Sequence, residues 1–211
     1  MARTRHDAVH PPLASACPPG NGRSSIVGLG TARRQPQRVS DNPAVSSTEH
    51  KAHAPARVAC FALTVSDTRT EETDTGGRAI RERLEAAGHS VSGHAIVRDE
   101  PSQVTAIVRE RLADPATQVI ITTGGTGISA RDTTFEAVTA LFEKRLDGFG
   151  ELFRMLSFQE IGAAAMLSRA TAGTVGRKAI FVLPGSPAAV RLAMDRLIVP
   201  ELGHIVQQLA R

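Results

Sequence analysis

The feature that most restricts how this chain can fold is the apolar run Gln118–Thr122. It passes without interruption into Thr123-Gly124-Gly125-Thr126-Gly127, and a helical pattern follows. A strand that ends on closely spaced glycines and leads to a helix is half of a βαβ unit, and it places the loop at the carboxyl end of the strand. Glycines let the backbone curl until successive N–H groups converge on an anion. The start of the next helix adds unpaired N–H groups and the positive end of its dipole. Thr123 and Thr126 contribute hydroxyl donors, so this segment reads as a phosphate cradle.

The rest of the chain repeats the alternation. Val58–Val65 is a continuous apolar run, as expected of a strand covered on both faces. Thr75–Ala87 reads as a helix, with Ile80, Leu84 and Ala87 on one stripe and Gly88 as its stop. Val91–Val97 is a second strand, and Val104, Ile107, Val108 and Leu112 then fall at helical spacing. After the Gly-rich loop a helix is predicted over Thr134–Phe142, burying Phe135, Val138 and Phe142. Gly148-Phe149-Gly150-Glu151 should interrupt, with a short helix over Leu152–Ile161. Ser168–Val175 and Lys178–Leu183 read as strands joined at Gly176, and a long helical pattern closes the chain from Pro187. Strands alternating with helices predict an α/β fold, a doubly wound and mainly parallel sheet with helices on both faces.

Composition divides the chain near residue 56. Residues 1–56 are rich in Pro, Ser, Arg and His and lack apolar periodicity, so a disordered extension is expected there, followed by one α/β domain over 57–211. The formal charge of +4 sits in the extension, and the remainder is neutral. A basic overall balance is therefore no sign of a nucleic-acid surface, and the lack of Trp and Tyr removes the usual base-stacking platforms. No run is long enough for a membrane span, and no secretory signal stands out. A cytoplasmic location is the expectation. Cys17 and Cys60 cannot form a framework, and Cys60, inside an apolar run, reads as a small buried hydrophobe.

Polar sequences cluster where strands should end. They are Ser66-Asp67-Thr68-Arg69 with Asp74 and Gly76-Gly77; Arg98-Asp99-Glu100; Thr122–Gly127 with Ser129-Ala130-Arg131-Asp132; and Pro184-Gly185-Ser186-Pro187. In open α/β sheets such ends form one ligand site. Ser186 and Pro187 also suit an N-cap followed by a first helical residue, and a capped start still offers donors to phosphate. Thr133 and Glu136 have the spacing of a capping box, which would leave Asp132 outside the helix and facing the loop. Asp132 suits a Mg²⁺ ion held by carboxylates and phosphate oxygens. Asp99 suits either that role or a cap for the helix beginning near Pro101. His89, His94 and His204 make no metal-ligand spacing.

Thr122–Gly127 with Asp132, Gly148–Glu151 and Pro184–Ser186, in this order, resemble the molybdopterin-binding domain of the MoaB and MogA family. Arg154–Phe158, Glu160-Ile161-Gly162 and Ser168-Arg169-Ala170 are closer to the MoaB branch. The resemblance spans Arg57–Arg211. It departs from the family at Thr134-Phe135-Glu136, where a proline often stands in the middle. It implies trimers or hexamers and transfer of AMP from Mg-ATP to the terminal phosphate of molybdopterin, with release of pyrophosphate. It also implies that Asp99 and Asp132 are the catalytic, Mg²⁺-holding acids. The pterin phosphate would rest on Thr123, Gly124, Gly125, Thr126 and Gly127, and ATP would lie toward Ser66, Asp67, Asp74, Gly185 and Ser186. A non-catalytic molybdopterin-binding protein of the same fold is the alternative.

Overall fold

Parallel strands need crossover connections, and helices supply them here. The computed structural model describes residues 54–211; Cys17 and nearly all of the expected 1–56 extension lie outside the described residues. The elements run β1 (Ala59–Val65), α1 (Thr75–Ala86), β2 (Ser90–Val97), α2 (Pro101–Ala113), β3 (Val119–Thr123), α3 (Thr134–Thr139), β4 (Lys144–Arg145) and α4 (Asp147–Ile161). A 3-10 segment (Gly162–Leu167) leads to β5 (Thr171–Val175) and β6 (Lys178–Leu183). The chain closes with α5 (Pro187–Ala193), a π-helical segment (Met194–Ile198) and α6 (Val199–Ala210).

The six strands form one sheet in the order β2-β1-β3-β6-β5-β4. β2, β1, β3 and β6 are parallel, while β5 and β4 are antiparallel, so the sheet is parallel through its centre and mixed at one edge. Alternation along the strands splits the core into two layers. Cys60, Ala62, Val119 and Ile121 pack with Ile80 and Leu84 of α1, Phe153 of α4, and Val190, Met194, Ile198 and Leu202 of the closing helices. Phe61, Leu63, Val65, Ile120, Ile180 and Val182 pack with Val104 and Val108 of α2 and Val138 of α3. Helices thus cover both faces, as the apolar runs predict.

Two elements differ from the sequence expectation. The helix over Leu152–Ile161 begins earlier, at Asp147, and carries Gly148 and Gly150 in its first turn. Gly150 is there because α4 presses on the strand β5 enters from. A β-carbon at that position would lie 2.8 Å from the Ala170 carbonyl oxygen, so the glycine permits close packing and does not break the helix. The helix after the Gly-rich loop ends at Thr139, earlier than Phe142. It buries Thr134 and Val138, while Phe135 is only half-buried. No described helix is long and apolar enough to cross a membrane.

Candidate active site

Register puts the polar loops side by side. Val65 is opposite Val97, Thr64 is opposite Thr123, and Thr123 is opposite Leu183, so four neighbouring parallel strands end at one level. The chain leaves β1 for β2 on one side, whereas β3 lies on the other. That reversal opens a crevice at the carboxyl ends, the usual ligand position in open α/β sheets.

The Gly-rich loop is stitched into this crevice. The Gly124 N–H donates to the Leu183 carbonyl at 3.1 Å, and the Thr123 hydroxyl donates to the Pro184 carbonyl at 2.9 Å. Gly124 has φ +101°, and a β-carbon there would lie 2.1 Å from the Val65 carbonyl oxygen. Gly185 approaches from the other side, less tightly, its β-carbon position being 3.3 Å from Gly124 Cα. Among the described residues, none accepts a hydrogen bond from the N–H groups of Gly125, Thr126, Gly127 or Ile128. The helix dipole contributes less than expected, because α3 starts only at Thr134 and has six residues. The donors available to an anion are those of the loop itself.

Both expected acids abut this loop. Asp99 is buried, and its Oδ1 accepts from the Thr133 N–H at 3.4 Å, the Thr133 hydroxyl at 3.2 Å and the Thr134 hydroxyl at 3.0 Å. Its Oδ2 faces Gly125, 2.5 Å from where a β-carbon would stand. Asp132 Oδ2 is 2.6 Å from the β-carbon position of Gly127. Asp99 does not cap α2, whose N-cap is Glu100 without a side-chain bond. The capping box is also not formed. Thr133 makes no cap bond because its hydroxyl serves Asp99, and Glu136 pairs with Arg169.

Other predicted residues build the walls. Asp67 takes two hydrogen bonds from Arg131, at 3.1 and 3.2 Å, and Arg131 also meets Glu100 at 2.9 Å. Arg131 holds the Asp67 carboxyl below the usual carboxylate range, helped by the Asp99 N–H, and the Arg131 guanidinium is held more firmly protonated in turn. Asp74 lines the crevice but is buried and fully engaged. Its Oδ1 accepts from the Gly77 N–H, and its Oδ2 meets the Thr64 hydroxyl and His94 Nε2. It is the N-cap of α1, a role the Asp before a helical pattern could have signalled. Ser66 and Ser186 use their side-chain oxygens to cap local turns, accepting from Thr68 and Arg69 and from Ala189 respectively. Ser186 and Pro187 thus begin α5 as their types predict. Thr64, Ser66, Arg69, Asp74, Thr123 and Gly185 share a small cavity of about 60 Å³.

Arg169 and His94 are the residues that sequence reasoning missed. Arg169 lies 43 positions beyond Thr126, and no spacing rule links them, yet its Nε donates to the Thr126 carbonyl at 2.8 Å. His94 comes from the edge strand β2 and sits between Asp74, at 3.0 Å from Nε2, and Glu71, at 3.5 Å from Nδ1. No group of three or more His, Cys, Asp or Glu among the described residues is arranged to hold a metal on its own.

The sequence profile of the family described as "Probable molybdopterin binding domain" matches residues 61–204. The chain belongs to that family. The matched span of the molybdopterin-binding domain contains all four loops, both acids and Arg169. "Molybdenum cofactor biosynthesis protein B" of Bacillus cereus is 52% identical over 168 residues, covering 79% of this chain and 99% of that protein. A crystal structure of a molybdenum cofactor biosynthesis protein B is 53% identical, with a TM-score of 0.73, and covers 75% of this chain and 99% of that one. The "tungsten cofactor synthesizing protein MoaB" of Pyrococcus furiosus is 36% identical, with a TM-score of 0.67 over 75% of this chain and all of that one. The identity to these relatives places the chain on the MoaB side of the family, as the sequence motifs suggest.

Proposed function

We propose that this protein acts in molybdenum cofactor biosynthesis as a molybdopterin adenylyltransferase, moving AMP from ATP to the terminal phosphate of molybdopterin with release of pyrophosphate. The observation that carries this reading is the pairing of unengaged loop amides with two carboxylates that press against the same glycines. The amides of Gly125, Thr126, Gly127 and Ile128 suit the pterin phosphate. The cavity between Ser66, Arg69, Thr123 and Gly185 suits the nucleotide side. Asp67 and Asp74 shape that side through Arg131 and through the start of α1, because their oxygens are already occupied.

The donor set fits Mg²⁺. Asp99 has one oxygen tied by three donors and the other turned to the loop, and Asp132 faces Gly127. Hard oxygen ligands from one or two carboxylates, completed by phosphates and water, are the usual protein share of a Mg²⁺ site. When bound, the ion would neutralise charge that builds up on the transferring phosphoryl group. The chain's own residues hold the phosphate, keep the two acids in place, and bring both substrates together in one crevice.

We also propose self-association. Leu152, Met155, Phe158, Ile161, Met166 and Leu167 are exposed on α4 and the 3-10 segment, an apolar surface suited to another copy of the chain in a trimer or hexamer. Phe153 and Leu156 on the same helix belong to the core, and Phe149 packs on Phe181, so they are not part of this surface.

Incubation with ATP, Mg²⁺ and molybdopterin tests the reading. Adenylylated pterin and pyrophosphate are the expected products. Pterin binding without product would favour a binding protein of the same fold, and absence of pterin binding would overturn both.

A further inference from the structure

The Gly-rich loop offers N–H groups to an anion only if its peptide planes point the right way. A glycine-containing loop has many alternative orientations for each plane. In a trans peptide the C=O of one residue and the N–H of the next point in opposite directions. Whatever holds the Thr126 carbonyl therefore aims the Gly127 N–H, and whatever holds the Gly127 carbonyl aims the Ile128 N–H. Arg169 holds both. Its Nε donates to the Thr126 carbonyl at 2.8 Å, and its Nη2 donates to the Gly127 carbonyl.

The guanidinium is itself fixed from three directions. Nη1 pairs with the Glu136 carboxylate, and the group stacks over the Phe135 ring with Cζ 4.8 Å from its centroid. Arg169 lies between the 3-10 segment and β5, next to the buried Ala170. Each of its three nitrogens has a partner, and four of its five N–H groups are spent on the loop carbonyls and Glu136. Glu136 and Arg169 balance in charge, and the Glu136 carboxyl is held below its usual range by that pairing. Two observations already made acquire a reason here. The Gly127 and Ile128 amides have no acceptor among the described residues, and the half-buried Phe135 owes part of its cover to the guanidinium.

We infer that Arg169 is a positioning residue for phosphate binding: by gripping the Thr126 and Gly127 carbonyls it orients the Gly127 and Ile128 N–H groups toward the phosphate. This rests on the proposed phosphate cradle. The geometry also divides the labour of the site, with Asp99 and Asp132 serving the reaction and Arg169 serving the loop.

The test is an amide-resolved NMR titration of the full chain with inorganic phosphate, run on wild type, Arg169→Ala, Arg169→Lys and Arg177→Ala, with melting temperatures measured in parallel. In wild type the Gly127 and Ile128 amides should shift on titration. In Arg169→Ala those two shifts should vanish and phosphate affinity should fall about tenfold, the scale of one charge-assisted hydrogen bond. Arg169→Lys has a single ammonium and cannot span both carbonyls, so it should recover only part of the response. Arg177→Ala removes an exposed arginine in the turn between β5 and β6, at the opposite end of the strands, and should keep the response. Folding is checked by the amide spectrum away from residues 124–136 and from the neighbours of position 169, which a positioning role leaves unchanged. An Arg169→Ala protein that binds phosphate as tightly as wild type, with both amides still responding, overturns the inference and leaves the cradle standing. Wild-type protein whose loop amides ignore phosphate overturns the cradle and the inference with it.

Discussion

A β-carbon on Gly125 would stand 2.5 Å from Asp99 Oδ2 and 2.3 Å from the Thr134 hydroxyl, so the glycine of the loop and the acid after β2 occupy one another's space. Gly125 also has φ +61°, a conformation that branched side chains rarely adopt. The Gly-rich loop and the acid are therefore mechanically one unit. A substitution at Gly125 reaches the acid directly.

That contact sets two variants apart. Asp132→Asn keeps the size of the side chain and removes its charge. AMP transfer should drop about a hundredfold, close to 3 kcal/mol of barrier, with pterin affinity near wild type. Gly125→Val should lose pterin binding and transfer together, because it obstructs the loop and displaces Asp99. Steady-state kinetics with a separate pterin-binding measurement decides this. Full transfer by Asp132→Asn would move the reaction away from this acid.

Gly124→Ala should destabilise the fold as a whole. The position combines φ +101° with a Val65 carbonyl oxygen 2.1 Å from the new β-carbon, so the cost should be about 2 kcal/mol or more. Denaturant unfolding measures it. An Ala variant as stable as wild type would mean that the loop is not pinned against β1.

The Asp67–Arg131 pair carries a pH signature. Arg131 depresses the Asp67 carboxyl below its ordinary value of 3.8. A group with a depressed value in the folded state stabilises the protein above its unfolded value, and that contribution disappears as pH falls through the folded one. Asp67→Asn should melt below wild type at neutral pH, and the two curves should converge in strong acid. Both side chains are largely exposed, so added salt should also narrow the gap. A gap that stays constant across acid pH would assign the effect to packing.

Burial raises the Cys60 thiol to about 12, and Cys60 is fully inaccessible in β1. Since the thiolate is the reactive form, Cys60 should resist alkylation at mildly alkaline pH in native protein and react on unfolding. Mass spectrometry of the Cys60 peptide after a labelling pulse reads this directly, and rapid native labelling would show that β1 opens.

Phe158 and Met166, 61% and 79% exposed, are the most exposed large apolar residues of α4 and the 3-10 segment. Light scattering should give a trimer or hexamer, and Phe158→Asp should shift it toward monomer with little change in melting of the isolated chain. A wild-type monomer at micromolar concentration would refute self-association through any face.

Local chemistry decided much of this protein. The continuous apolar runs of β1, β3 and β6 identified central strands because a strand covered on both faces has no polar side to show. Ser186-Pro187 began a helix as those residue types require. Closely spaced glycines marked the loop because few other residues tolerate its dihedral angles. The four polar loops could be grouped into one site because parallel strands deliver their carboxyl ends to one edge. Long-range partners were invisible to such reasoning. Thr133 has the spacing of a capping residue, yet in the fold its hydroxyl serves Asp99, 34 positions away. Gly148 and Gly150 read as a helix break, but Ala170 needs the space that a side chain on Gly150 would fill. Arg169 became part of the site only because β5 returns beside the Gly-rich loop. Propensity and periodicity are set by neighbours in the chain, whereas hydrogen-bond partners are chosen among all groups that packing brings within reach, and only the tertiary structure supplies that list.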